Sequence, residues 1–220
     1  MAPKKATPAY SFPDPMDNDS LVGHCDVLES FMNAWAARDT HPIHPVWMLT
    51  GPKGIGKATL AYKIAKIVYG NVGDFFIIDQ ARNIDKDGKN KSDGKVISVY
   101  TVRAMIDRMR MSSMSGEWRV VLIDSVDELN TAASNAILKL LEEPPAKTLF
   151  LLVTHQLANV LPTVRSRARV EKMRPLTISQ LRELCAKFIP DADISTATLK
   201  LANGSFGKIA ALKSSGGDVI

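Results

Sequence analysis

Residues 46–60 read VWMLTGPKGIGKATL, and this stretch decides the fold. It opens with a short apolar run, typical of a buried parallel strand, and the apolar residues after Lys57 recur at helical spacing. Between strand and helix, Gly51 to Lys57 forms a glycine-rich turn that ends in a lysine. Such a turn lets backbone N–H groups converge on a phosphate, and the lysine reaches the outer phosphates. A chance glycine-rich turn would leave the lysine unexplained, so we predict a phosphate-binding P-loop.

Apolar runs and helical periodicities alternate along most of the chain, which predicts an α/β domain with a largely parallel sheet. Besides 46–49, the predicted strands are 75–78, 120–123, 149–153 and 169–173. After Pro175 the pattern changes to short helices. We therefore predict three parts. They are a proline-rich disordered tail at 1–18, an α/β P-loop domain at 19–175 and a small helical lid at 176–220.

The composition excludes several classes of protein. The 220 residues are 45% hydrophobic and 23% charged, as is usual for a globular protein. The net charge of +5 is compatible with a nucleic-acid partner but does not require one. Two distant cysteines, Cys25 and Cys185, argue against a disulfide framework and a zinc site. No apolar run is long enough to span a membrane and the N-terminus does not resemble a secretory signal, so we expect a cytoplasmic protein.

Two residues of the predicted nucleotide site differ from what hydrolysis requires. A working P-loop has Ser or Thr after its lysine to bind Mg²⁺, but here Ala58 follows Lys57. Thr59 is one residue further on, and a helix turns its side chain about 100° away. Asp124 ends the third predicted strand, and Ser125 after it cannot act as a general base. Glu128 is the alternative base, although it lies beyond the strand end.

Basic residues are concentrated in the loop at 82–95 and on the helix that carries Arg103, Arg108 and Arg110. Contacts with DNA phosphates need only positive charge in the right place. The alternative is a solvated helix face, and we favour that interpretation because no aromatic stacking platform accompanies the charges.

A set of further motifs resembles the bacterial clamp loaders of the AAA+ family. They fall in the family's order from about residue 21 to 212. The matching stretches are Leu21–His24, His44 at a family position next to the P-loop, Asn135–Lys139, Leu141–Pro145, Thr154 at the sensor-one position, and Ser166-Arg167-Ala168, similar to a Ser-Arg-Cys motif. The resemblance implies an AAA+ P-loop domain followed by a helical lid.

The resemblance also assigns the site residues. The nucleotide-binding set would be Gly51, Gly54, Gly56, Lys57, Thr59, Asp124 and Thr154. ATP binding is expected to be weak, Mg²⁺ binding stays open, and the four-cysteine zinc module of many relatives is missing. Arg167 would be an arginine finger, a side chain that stabilises the ATP of a neighbouring subunit. The alternative for Arg167 is a surface salt bridge.

The departures from the family resemble its delta-prime branch, the stator of the clamp loader, more than the motor branch, gamma or tau. Gly204-Ser205-Phe206-Gly207 lacks the sensor-two arginine of the motors. The resemblance implies a subunit of a nucleotidyltransferase complex that is not catalytic alone. Its partners would be gamma or tau, delta, primed DNA (indirectly or through the basic surface) and the sliding clamp. An active motor subunit and a P-loop protein outside replication are the alternatives. The family's collar domain is not within these 220 residues, through truncation or natural shortness.

Overall fold

A parallel sheet of five strands forms the centre of the molecule in a computed structural model, which describes residues 12–70, 73–91, 96–111, 117–190, 192 and 194–214. The strands lie side by side in the order β2-β3-β4-β1-β5, and every neighbouring pair is parallel. Their bounds are β1 Val46–Thr50, β2 Phe75–Ile78, β3 Arg119–Ile123, β4 Thr148–Thr154 and β5 Arg169–Lys172. The predicted α/β architecture is confirmed.

Helices cover both faces of this sheet. Their bounds are α1 Cys25–Ala36, α2 Lys57–Tyr69, α3 Val99–Met111, α4 Thr131–Glu142, α5 Pro162–Arg165, α6 Ile178–Phe188, α7 Thr196–Leu201 and α8 Phe206–Ser214. One apolar core lies between the sheet and α3 with α4, and a second between the sheet and α1 with α2. A third cluster lies within α6, α7 and α8, the helices of the predicted lid.

Coverage of both faces explains the apolar runs in the sequence. Every residue of β1 and β4 is buried, because parallel strands with helices on both sides have no face in water. The edge strand β5 differs, since it carries Arg169, Glu171 and Lys172. Charged side chains on an exposed edge discourage pairing with another sheet.

The parallel order gives the sheet two chemically different edges. The carboxyl edge, where the strands end, carries the P-loop after β1, Asp124 after β3 and His155 after β4. The amino edge, where the strands begin, carries His44 before β1 and Arg167 before β5. The whole of β1 separates His44 from the P-loop, so the two are not neighbours in space. Helix α4 starts on the carboxyl side and ends on the amino side.

The predicted tail at 1–18 is only partly within the described residues. Residues 1–11 lie outside them, but Phe12 packs edge to face against Phe206 with ring centroids 5.8 Å apart. In the basic loop, Ile84 and Asn90 form an antiparallel bridge, while 92–95 lie outside the described residues. In the described part of the chain, no helix has the length and apolar character needed to cross a bilayer.

Candidate nucleotide cleft and arginine site

A cleft of about 560 Å³ opens at the carboxyl edge, between the P-loop, the lid and the segment before α1. Its polar side is formed by Lys57, Asp124 and His155. Its apolar wall comes from Phe12 and from lid residues that include Leu184, Phe188 and Phe206. The combination of a phosphate-binding loop and an apolar wall suits a nucleotide, with its charged phosphates and flat base.

Lys57 is almost fully buried, with 3% of its surface exposed. Its Nζ donates hydrogen bonds to the carbonyl oxygens of Gly51 at 2.7 Å and Pro52 at 2.6 Å. Burial lowers the pKa of Lys57 to about 8, and the negative charge of Asp124 opposes this shift. The ammonium group is thus held by its own loop, and a phosphate would have to compete with these two carbonyls.

The end of β3 carries one carboxylate where hydrolysis requires two. Burial raises the pKa of Asp124, and the nearby charge of Asp79 adds to the shift. Ser125 has a left-handed backbone with φ 67°, and its Oγ lies 3.3 Å from Nε2 of His155. Burial, followed by the charge of Lys57, lowers the pKa of His155. A hydroxyl paired with a neutral imidazole therefore occupies the place of a water-activating carboxylate.

His155 was not predicted from the sequence. Its Nδ1 is buried and makes no hydrogen bond within the described structure. The residue after a strand end at a P-loop edge is a signal that could have identified it, because parallel strand ends converge there.

The acids that follow Ser125 have other partners. The Asp127 carboxylate accepts hydrogen bonds from the backbone N–H of His155 at 3.2 Å and of Gln156 at 3.1 Å. Glu128 accepts a hydrogen bond from Nε2 of Gln80 at 2.7 Å, and burial raises its pKa. The residues that line the cleft include neither of them. These contacts argue against Glu128 as a substitute base.

The structure brings most of the predicted nucleotide-binding residues together. Five members of the predicted set line the cleft, namely Gly54, Gly56, Lys57, Thr59 and Asp124. Gly51 contributes through its carbonyl to Lys57, whereas Thr154 is fully buried and its hydroxyl accepts the N–H of Gln156 at 3.2 Å. Within the described residues, no group of three His, Cys, Asp or Glu side chains could hold a metal ion.

The lid contacts the P-loop directly, which the sequence did not predict. The hydroxyl of Ser205 donates to the carbonyl of Lys53 at 2.8 Å, and the N–H of Gly207 donates to the carbonyl of Gly54 at 3.0 Å. A Cβ built on Gly54 would lie 2.5 Å from Ser205 Oγ and 2.9 Å from the Cα of Gly207. The close approach of these two segments therefore requires glycine at position 54.

Arg167 lies at the amino edge, in a shallow pocket formed with His44, Glu142 and Ser166. Its Nη2 is 2.6 Å from Oε1 of Glu142, and its Nη1 donates to the carbonyl of Thr163 at 2.7 Å. About one third of the side chain is exposed. The five-residue strand β1, about 16 Å long, separates this edge from the P-loop. Arg167 thus lies at the opposite edge of the sheet from the chain's own cleft.

Comparison with known families agrees with these features. Residues 29–177 match the family described as DNA polymerase III, delta subunit. The chain belongs to this family. One relative is the DNA polymerase III subunit delta' of Pseudomonas aeruginosa, 30% identical over 72% of this chain and 52% of that protein. Another is the DNA polymerase III subunit gamma of Buchnera aphidicola subsp. Schizaphis graminum, 27% identical over 74% of this chain and 46% of that protein. The family member described here spans about half the length of these relatives.

Solved structures show the same fold for this family member. A DNA polymerase III gamma subunit-related protein of Thermotoga maritima matches with a TM-score of 0.57 and 20% identity, over 84% of this chain and 57% of that one. The RuvB Holliday junction branch migration motor of the same organism matches with a TM-score of 0.60 and 20% identity, over 91% and 64%. The fold is therefore that of AAA+ P-loop proteins, as predicted.

Proposed function

We propose that this chain is the stator of a DNA polymerase III clamp loader, the delta-prime role, and that it donates Arg167 to the ATP of a neighbouring subunit. One observation carries the proposal. Arg167 lies at the amino edge of the sheet, across from its own cleft, with about one third of its side chain exposed. An arginine finger must be presented outward in this way, because the phosphates that it serves belong to another chain.

The chain's own cleft supports the same role. The glycine loop and Lys57 fit the phosphates of a nucleotide, and the apolar wall fits its base. The residues do not fit Mg²⁺, since Ala58 has no oxygen where the P-loop ligand is needed. Ser125 and His155 stand in place of a water-activating carboxylate. We infer weak ATP binding without turnover at this site.

The proposed partners follow from the role. The stator would assemble with gamma or tau and with delta in the cytoplasm, and the complex would place the sliding clamp on primed DNA. Arginine suits the finger because its planar fork can neutralise several phosphoryl oxygens at once. The names of the relatives include both delta' and gamma, so the choice between stator and motor rests on the residues above.

An active motor subunit is the second candidate function. Lys57, Asp124 and the P-loop glycines all line one cleft, which favours nucleotide binding in either role. Mg²⁺-dependent ATP hydrolysis by the purified chain would support the motor and contradict the stator. Ala58 and Ser125 lead us to expect no such activity.

Direct DNA contact through α3 has less support. Arg110 pairs with Asp107 at 3.6 Å, and the guanidinium of Arg108 lies over the ring of Phe76 at 5.8 Å. These contacts agree with a solvated helix face. We therefore propose that DNA is held mainly by the assembled complex.

The decisive experiment measures DNA-stimulated ATPase in a loader reconstituted from this chain with gamma and delta. Arg167→Ala is expected to leave assembly intact and to lower turnover roughly 10³-fold at the site it serves, because an arginine finger contributes that much. Arg165→Ala, on the preceding short helix, is the matched control and should retain activity. Unchanged turnover in the Arg167 variant would refute the finger, and failure of the wild-type chain to assemble would refute the stator.

A further inference from the structure

Glu142 is the acidic partner of Arg167, and its position is unusual for a carboxylate. It is the last residue of α4, and Glu143 follows it. The carboxyl end of a helix carries partial negative charge, so acidic side chains there are locally unfavourable. An ion pair with Arg167 at 2.6 Å offsets this repulsion for Glu142. Glu143 forms no ion pair within the described part of the chain, so its location offers no such gain.

We propose that Glu142 is a positioning residue that holds the Arg167 guanidinium ready for the neighbour's phosphates, an inference that rests on the proposed function. Acceptors from different elements fix the group, and the Ser166 hydroxyl adds a further contact with Nη1 at 3.3 Å. Oε1 of Glu142, at the end of α4, engages Nη2, and the carbonyl of Thr163, in α5, engages Nη1. Anchoring at two separate atoms fixes the plane of the guanidinium as well as its location.

These anchors leave donors free for a ligand. A guanidinium has five N–H groups, and the contacts with Glu142, Thr163 and Ser166 use only some of them. The remaining donors belong to a side chain that is one third exposed, in a pocket shared with His44 and Ser166. The anchors therefore orient the guanidinium, and a phosphate can bind its remaining N–H groups without displacing Glu142.

The anchor on α4 is itself well fixed. The side chain of Asn130 caps the helix by accepting the N–H of Ala133 at 2.7 Å, and Ile137 and Leu141 are buried in the core. Fixing a free arginine side chain at the moment of catalysis would cost rotamer entropy. Glu142 removes much of that cost before the neighbouring subunit arrives.

The experiment compares Glu142→Gln with Glu143→Gln in the reconstituted loader with gamma, delta, clamp, primed DNA and ATP. Glutamine keeps the length and polarity of the side chain and removes its charge. For Glu142→Gln we expect kcat of the ATPase to fall roughly tenfold with KM for ATP unchanged, because a loosely held finger still acts but is correctly oriented less often. Glu143→Gln removes the same charge one residue away and should keep wild-type kcat. Equal effects of the two variants would overturn the proposal.

The double variant Glu142→Gln/Arg167→Ala separates positioning from general support of the fold. If Glu142 acts through Arg167, the double variant has the same kcat as Arg167→Ala alone. A further drop of similar size in the double variant would show a structural role and overturn the inference. An inactive Arg167→Ala with a fully active Glu142→Gln would refute the positioning role and leave the finger standing. A fully active Arg167→Ala would refute the proposed function itself.

Discussion

The two edges of the sheet hold two charged groups in opposite situations. At the carboxyl edge, Lys57 is buried and donates to the carbonyls of its own loop. At the amino edge, Arg167 is partly exposed, and its anchors are the Glu142 carboxylate, the carbonyl of Thr163 and the Ser166 hydroxyl. The first group is satisfied internally, and the second still has donors to offer. The parallel sheet therefore separates the residues that would bind the chain's own nucleotide from those available to another chain. Substitutions at one edge can then occur without altering the residues at the other.

The largest expected effect on stability concerns its pH dependence at the two edges. Lys57 has a folded pKa of about 8, below its ordinary value of 10.5, so the folded protein binds fewer protons there than the unfolded chain. At pH 7.5 the buried charge of Lys57 lowers the free energy of unfolding. This loss is recovered as the pH rises from about 8 towards 10.5, because Lys57 loses its proton in the folded protein first. We expect the unfolding free energy of wild type relative to Lys57→Met to rise by about 3 kcal/mol between pH 7.5 and 10.5.

Urea unfolding of both proteins at the two pH values measures this change. Arg167→Met is the control from the other edge, and its difference from wild type should stay flat because arginine remains protonated over this range. If the difference in unfolding free energy between wild type and Lys57→Met is also independent of pH, the proposed contrast between the two edges is wrong.

The next effect tests the contact between the cleft and the lid. Gly54 and Gly88 both have positive φ, at 79° and 75°, but a Cβ on Gly88 would meet nothing within 4 Å. Gly88→Ala is therefore expected to cost roughly 1 kcal/mol for its backbone alone. Gly54→Ala should cost roughly 3 kcal/mol, since its Cβ also collides with Ser205 and Gly207. Thermal unfolding measures the loss of stability in each variant. Equal losses would mean that the lid moves away from the P-loop at no cost in free energy.

The smallest expected effect is on activity. Lys57→Ala in the reconstituted loader should change ATPase turnover by less than about twofold, because the proposed stator does not hydrolyse ATP at its own cleft. A steady-state assay beside Arg167→Ala gives the comparison. A large loss with Lys57→Ala would make the carboxyl edge catalytic and favour the motor candidate.

The sequence predicted the strands and the P-loop because those features depend on local patterns. The apolar run at 46–49 and the glycine turn after it are sufficient to identify β1 and its loop. Asp124 was placed by the same reasoning, since it directly follows a strand.

Other features depend on contacts between distant residues and had no local pattern. The pairing of Ser125 with His155 joins the ends of two strands, and the contact between Gly54 and Gly207 joins segments far apart in the chain. The carbonyl contacts of Lys57 also depend on the folded loop, because any P-loop lysine has the same sequence signature.

The contact between Gly54 and Gly207 has a consequence for the evolution of this cleft. A Cβ built on Gly207 would lie 2.8 Å from the Cα of Gly54, so no side chain larger than hydrogen fits there while the two segments touch. Mutation of residue 207 to arginine would first force the lid away from the loop, before any benefit to a nucleotide. A nucleotide-contacting arginine at this position would thus cost stability before it could bring any activity.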